Sequence, residues 1–157
     1  MNTELNINKF ENKELRNQIL ELTNEASSKD LSKWALMSIK HAYNSCGIDY
    51  EPIPYVIEGF LVLDLYLRGM ASLSDIRREA FQMEKYTRQI NGDAEKLIAL
   101  SQGASCAVGT PVIIGKSLAC SDYCIKAIWF DTSKNEEAIK RERLYQIQIL
   151  KAIIKRN

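Results

Sequence analysis

The chain has 157 residues, 46% of them hydrophobic and 26% charged, with a formal net charge of +1. A chain of this length buries enough surface for a core without disulfide or metal staples, and its near-neutral total excludes a general pull toward nucleic acid or anionic membrane. The balance is uneven, however: residues 1–64 hold ten acids and six bases, residues 65–157 ten acids and fifteen bases.

Residues 1–9 are polar and read as a loose N-terminal segment. From about residue 11 to 26, Leu15, Ile19 and Leu22 recur at helical spacing, an amphipathic helix ended by Ser27 and Ser28. A second helix starts at Asp30 or Ser32, carries Trp34, Leu36, Met37 and Ile39, and stops at Gly47. Residues 49–54 form an extended connector, because the residue before each proline is pushed out of the helical region. Residues 55–68 are apolar enough for a strand, but a lone strand would have no partner. Their leucines favour a buried helix with Asp64 and Arg68 paired one turn apart and Gly69 as its stop. Ser72 or Ser74 caps a fourth helix, whose apolar face is Ile76, Ala80, Met83 and Ile90. Asn91-Gly92 is a turn, and Asp93 caps the long apolar stretch after it.

From Leu97 to Phe130 the only charges are Lys116, Asp122 and Lys126. A helix that is apolar all round belongs inside a protein. Thr110 reads as an N-cap and Pro111 as the first position of a second central helix. About 20 apolar residues would cross a bilayer, but a mid-run lysine, proline and aspartate weigh against a span. After a loop at 131–135, Ser133 and Glu136 have capping-box spacing. The last helix then runs to about residue 155 and buries Ile139, Leu144, Ile147, Leu150 and Ile154. The expected fold is all-α: a single compact domain over 1–157, about seven helices around a proline-broken central pair.

Cys46, Cys106, Cys120 and Cys124 lie in apolar helical patterns and read as small buried hydrophobes. With a start, Met1-Asn2-Thr3-Glu4, that lacks the pattern of a secretory signal, they point to the reducing cytoplasm. No Walker, Rossmann, G-x-S-x-G or H-E-x-x-H motif is present. The single histidine, His41, reads as structural, and no catalytic residue, metal or cofactor is expected. Asp122 sits in an apolar helix, where an unpaired charge costs several kcal/mol. Lys126, one turn on, and Arg88, at long range, are its candidate partners; Lys116 snorkels outward. Together with His41 these residues form a candidate polar core or pocket. The basic clusters Arg77-Arg78 and Lys140-Arg141-x-Arg143 are interleaved with acids, so no nucleic acid is expected.

Several fragments resemble one family, the small all-α Imm-5-like immunity proteins linked to bacterial polymorphic toxin systems. Ala119-Cys120-Ser121-Asp122-Tyr123-Cys124-Ile125-Lys126-Ala127-Ile128 is similar to that family's G-A-A-D-Y-A-L-K-A-V stretch. Ala107-Val108-Gly109-Thr110 with Gly115, Trp34-Ala35-Leu36, Arg68-Gly69, Arg88, and Glu142-Arg143 with Gln146 resemble further segments, in the right order over about residues 31–147. Glu84, Cys106, Val112 and Lys116 stand where the family's segments carry histidines. The resemblance implies a cytoplasmic, non-catalytic helical protein that binds and neutralises a cognate toxin.

Candidate partner surfaces are an acidic face of Asp49, Glu51, Tyr55, Glu58 and Asp64, and the basic last helix with Lys140, Arg141 and Arg143. Two other readings stay open: a small-molecule-binding or enzymatic domain with a pocket near Asp122, and a helical scaffold subunit that self-associates.

Overall fold

A computed structural model describes residues 11–92 and 94–156; the loose segment expected at 1–9 and the Asp93 cap fall outside that range. The described residues form seven α-helices and no strand: α1 Lys13–Glu25, α2 Ser28–Ser45, α3 Pro54–Leu67, α4 Leu73–Arg88, α5 Glu95–Gly109, α6 Lys116–Asp131 and α7 Glu136–Lys155. Among them no helix is long and apolar enough to cross a membrane.

Local chemistry sets most boundaries. The Ser27 hydroxyl accepts from the Asp30 backbone N–H while the Asp30 carboxylate accepts from the Ser27 N–H, a reciprocal cap that starts α2. Ser27 thus opens the second helix rather than closing the first, and Asp30 lies inside it. Ser72 and Asp75 repeat the device at α4. Pro54 opens α3, where its missing N–H is harmless. Gly69 ends that helix at φ +77°, a conformation that side chains with a Cβ resist.

Two apolar clusters hold the helices together. The larger joins α2 to α6 and the start of α7, with Ile39, Phe60, Leu63, Ile76, Met83, Leu100 and Ile125 at its centre. The smaller gathers Leu15 and Ile19 of α1, Leu31 and Trp34 of α2, and Ile147, Leu150 and Ile153 of α7. At the middle of the larger cluster α5 packs between α2, α4 and α6. Close approach depends on Gly103: a Cβ there would meet the Ile39 side chain at 2.8 Å and Tyr123 at 3.3 Å.

Three expectations are corrected. Thr110 and Pro111 do not begin the second central helix. Residues 110–115 form a turn, α6 starts at Lys116, and the Thr110 hydroxyl donates to Ala107 O and accepts from the Ser32 hydroxyl, both at 2.8 Å. Ser133 does not cap α7 either. It sits at φ 53°, and the Asn135 side chain accepts from the Ala138 N–H instead. On α7 itself Leu144 faces solvent and Ile154 is half-buried, while the inward stripe runs Ile139, Arg143, Gln146, Ile147, Leu150 and Ile153. The central run is interrupted where the sequence breaks, but the break is five residues longer than its proline implied.

Candidate functional site

Asp122 has the buried partner its setting demands, but neither Lys126 nor Arg88 supplies it. Arg143 of α7 donates Nη2–H to Asp122 Oδ1 at 2.6 Å, and Arg16 of α1 grips both carboxylate oxygens at 3.2 and 3.0 Å. Arg143 is completely buried, which corrects its assignment to the partner surface. Its other donors are also used. Nε–H and Nη2–H meet the two oxygens of Glu11 at 2.9 and 2.5 Å, and Nη1–H groups meet Ser121 Oγ at 3.3 Å and Gln146 Oε1 at 2.9 Å. All five guanidinium N–H groups are therefore spoken for.

Burial by itself pushes the Arg143 guanidinium down, but hydrogen bonding to Glu11 and the charge of Asp122 outweigh it, so its pKa lies above the usual arginine value. Gln146 closes the seam. Its Nε2–H donates to Ser121 O at 3.1 Å, and its backbone carbonyl accepts from the Trp34 indole N–H at 2.9 Å. Two cations and two anions, Arg16, Arg143, Glu11 and Asp122, meet here without excess charge. The arrangement positions helices and leaves no free group for chemistry.

His41 lies elsewhere, where α2 faces α7. Its Nδ1 is 2.8 Å from the buried Glu142 carboxylate, and its ring stacks on Tyr145 with centroids 3.5 Å apart. Tyr145 is thus half-buried. Lys126 borders a small hollow with Glu95, Ile98, Ala99, Gln102 and Phe130. The candidate polar core is in this way divided among separate places: Asp122 in the seam of α1, α6 and α7, His41 at the contact of α2 with α7, Lys126 at its own hollow, and Arg88 with Lys116 near Glu84 of α4.

Arg88 lines a cleft of about 240 Å³ above α5, between α4 and α6, together with Glu84, Thr87, Gln102, Ser105, Cys106 and Tyr123. Lys116 reaches in from α6, its Nζ 3.5 Å from Glu84 Oε1. Burial, eased by Lys116 and reinforced by Glu84, pushes the Cys106 thiol up to about 11. The thiol is therefore held in its neutral form at neutral pH. Gln102, which lines both this cleft and the hollow beside Lys126, has its Oε1 buried without a hydrogen-bond partner among the described residues. Arg88 has no carboxylate within ion-pair distance among them either. Three of the four positions at which the family resemblance expects histidine, Glu84, Cys106 and Lys116, converge on this cleft. Among the described residues no three of His, Cys, Asp and Glu gather as metal ligands.

The turn leading into α6 is the other unusual surface. Val112, Ile113 and Ile114 are 39, 52 and 67% exposed in succession. Their aliphatic character suggests the interior of a central helix; they stand out in solvent instead.

The chain matches the family described as Imm-5 like putative immunity protein over residues 21–153. It belongs to that family. The match spans α2 to α6 entirely and takes in part of α1 and most of α7, so the cleft and the aliphatic turn lie wholly within the family's extent. No curated protein and no solved structure matches the chain.

Proposed function

We propose that this protein neutralises a cognate bacterial toxin, of the polymorphic-toxin kind, by tight non-catalytic binding in the cytoplasm of the cell that makes it. Membership of an immunity-protein family across 21–153 carries the reading. The frame suits it physically. Helices locked by two apolar clusters and a closed ion network are pre-organised, so binding would cost little ordering of the backbone. Consecutive exposed aliphatic side chains at 112–114 are the kind of surface a protein partner covers.

Charge offers two further faces. Asp49, Glu51 and Glu58 are exposed; Asp64 is tied to Arg68, and Tyr55 stacks on Tyr86. Elsewhere Lys140 and Arg141 project from α7 into solvent. Either would steer an oppositely charged toxin toward contact.

The test is recovery of the tagged protein's partner from its native host, followed by co-expression. One stoichiometric partner whose terminal domain kills cells unless this chain is present supports the proposal. A chain that neither binds nor protects against any toxin domain expressed in that host ends it.

A further inference from the structure

At one end of the bundle α2 begins and α3 ends, and between them lies a cavity of about 440 Å³, open to solvent. Lys29 and Ser32 line it from α2, and Tyr66, Leu67, Gly69 and Ala71 line it from the end of α3 and the link to α4. It shares no residue with the cleft over α5 or with the Asp122 seam. Its size falls within the range of roughly 300–1,000 Å³ typical of ligand pockets.

Local hydrogen bonds make both walls rigid. On one side the reciprocal Ser27–Asp30 cap fixes the first turn of α2, and the buried Ser32 hydroxyl donates to Thr110. On the other, the Gly69 N–H donates to Tyr66 O at 2.9 Å and the Met70 N–H to Leu65 O at 2.7 Å. These are the paired bonds that close a helix through a left-handed glycine. An apolar residue in Met70's position commonly folds back onto its own helix. Met70, between the lining residues Gly69 and Ala71, is instead 67% exposed.

Charge narrows what the cavity accepts. Lys29 is the only charged residue in the lining, and no carboxylate lies within ion-pair distance of it among the described residues. Asp30, beside it in sequence, is buried and accepts from the Ser27 N–H. Near the other wall Asp64 is paired with Arg68, and Asp75 caps α4. Lys29 and Lys33, exposed and one turn apart, outnumber Glu25 at the end of α1. Leu67 and Ala71 thus call for an apolar group, and Lys29 calls for an anion. A small molecule seated inside would leave Met70 bare, whereas a polypeptide covers both the cavity and its rim.

We propose that this cavity anchors the toxin, receiving an apolar side chain that has an aspartate or glutamate beside it to meet Lys29, with Met70 packed against the surrounding toxin surface. This rests on the immunity reading and goes further by naming the face and the chemistry of its occupant. Glu58 on α3 and Lys140 on α7 lie outside the contact.

The full chain is titrated with the purified toxin domain identified by co-expression. Lys29→Glu and Met70→Asp are each expected to weaken binding about tenfold or more. Ala71→Trp, which fills the cavity, is expected to weaken it about 30-fold or more, as loss of a central anchor does. Lys29 and Met70 are exposed, so thermal melts of those two variants should match the parent. Lys140→Glu and Glu58→Lys should bind unchanged. Scanning the toxin's acidic residues to lysine should find one reversal that harms binding to the parent chain and restores binding to Lys29→Glu. If the toxin binds all three cavity variants as tightly as the parent, or if Lys140→Glu or Glu58→Lys weakens it instead, the cavity assignment is overturned and immunity stands. A parent chain that sediments as a dimer, and that Met70→Asp turns monomeric, would put a second copy in the cavity and overturn the assignment too. If the parent chain binds no toxin domain, both fall together.

Discussion

The two interiors of this protein are built on opposite principles. Between α2 and α6 the core is apolar and close-packed, with Ile39, Leu63, Leu100 and Ile125 wholly excluded from solvent. Where α1, α6 and α7 meet, the joined groups are Glu11, Arg16, Asp122, Arg143 and Gln146, held by directional bonds. An apolar core accepts changes of similar volume, because burial does not depend on orientation. A closed ionic network accepts almost none, since removing one member leaves another charged and unpaired in a dry place. The first interior supplies stability; the second fixes which face of α1 and α7 meets the bundle.

Removing the hub should break this contrast most sharply. Arg143→Ala leaves Glu11 without its cation and Asp122 with only Arg16, and should cost about 3–5 kcal/mol in urea unfolding. A double-mutant cycle with Glu11→Ala should recover part of that loss, giving a coupling well above about 0.5 kcal/mol. Additive losses would mean the pair contributes nothing beyond bulk. A matched change in the apolar interior, Ile125→Val, should cost only about 0.5–1.5 kcal/mol, read by the same urea titrations. Should it exceed the Arg143 loss, the seam is not the more demanding region.

The smallest effect belongs to the surface. Hydrogen bonds from the Ser72 backbone and hydroxyl hold the Asp75 carboxyl below its ordinary pKa. A folded value below the unfolded one contributes stability above the ordinary carboxylate range and loses it as pH falls through the folded value. Asp75→Asn should therefore lower the melting temperature slightly at neutral pH and flatten its decline in acid. An unchanged pH profile would remove Asp75 from the cap's energetics.

The fold was largely legible because periodicity, glycines and caps speak locally. Gly47, Gly69 and the Asn91-Gly92 turn sit between helices as their chemistry dictates, and an apolar run with three charges proved to be interior for most of its length. The seam was only half legible. That Asp122 needed a partner can be read from one helix, but its partners lie 106 positions before it and 21 after, beyond any local spacing. Hydropathy also misdirects on α7, where it favours Leu144 as an inward residue over its neighbour Arg143. Residues 139, 143, 146, 147 and 150 nevertheless share one helical face, and that spacing was available to be read. Val112, Ile113 and Ile114 were missed for the converse reason: aliphatic residues imply burial, while Gly109 and Gly115 on either side already bracket a turn.

Arg143 has one further consequence, for how this sequence can drift. Five donors aimed at four different side chains leave no stepwise way out: lysine offers three donors from one point, and any neutral replacement strands Glu11. Lineages that abandon the arginine are expected to abandon the acid at position 11 as well, while those that keep it hold positions 11, 122 and 146 together. The hub thus acts as a ratchet on descent, coupling the fates of sites more than a hundred residues apart while the apolar interior beside it remains free to wander.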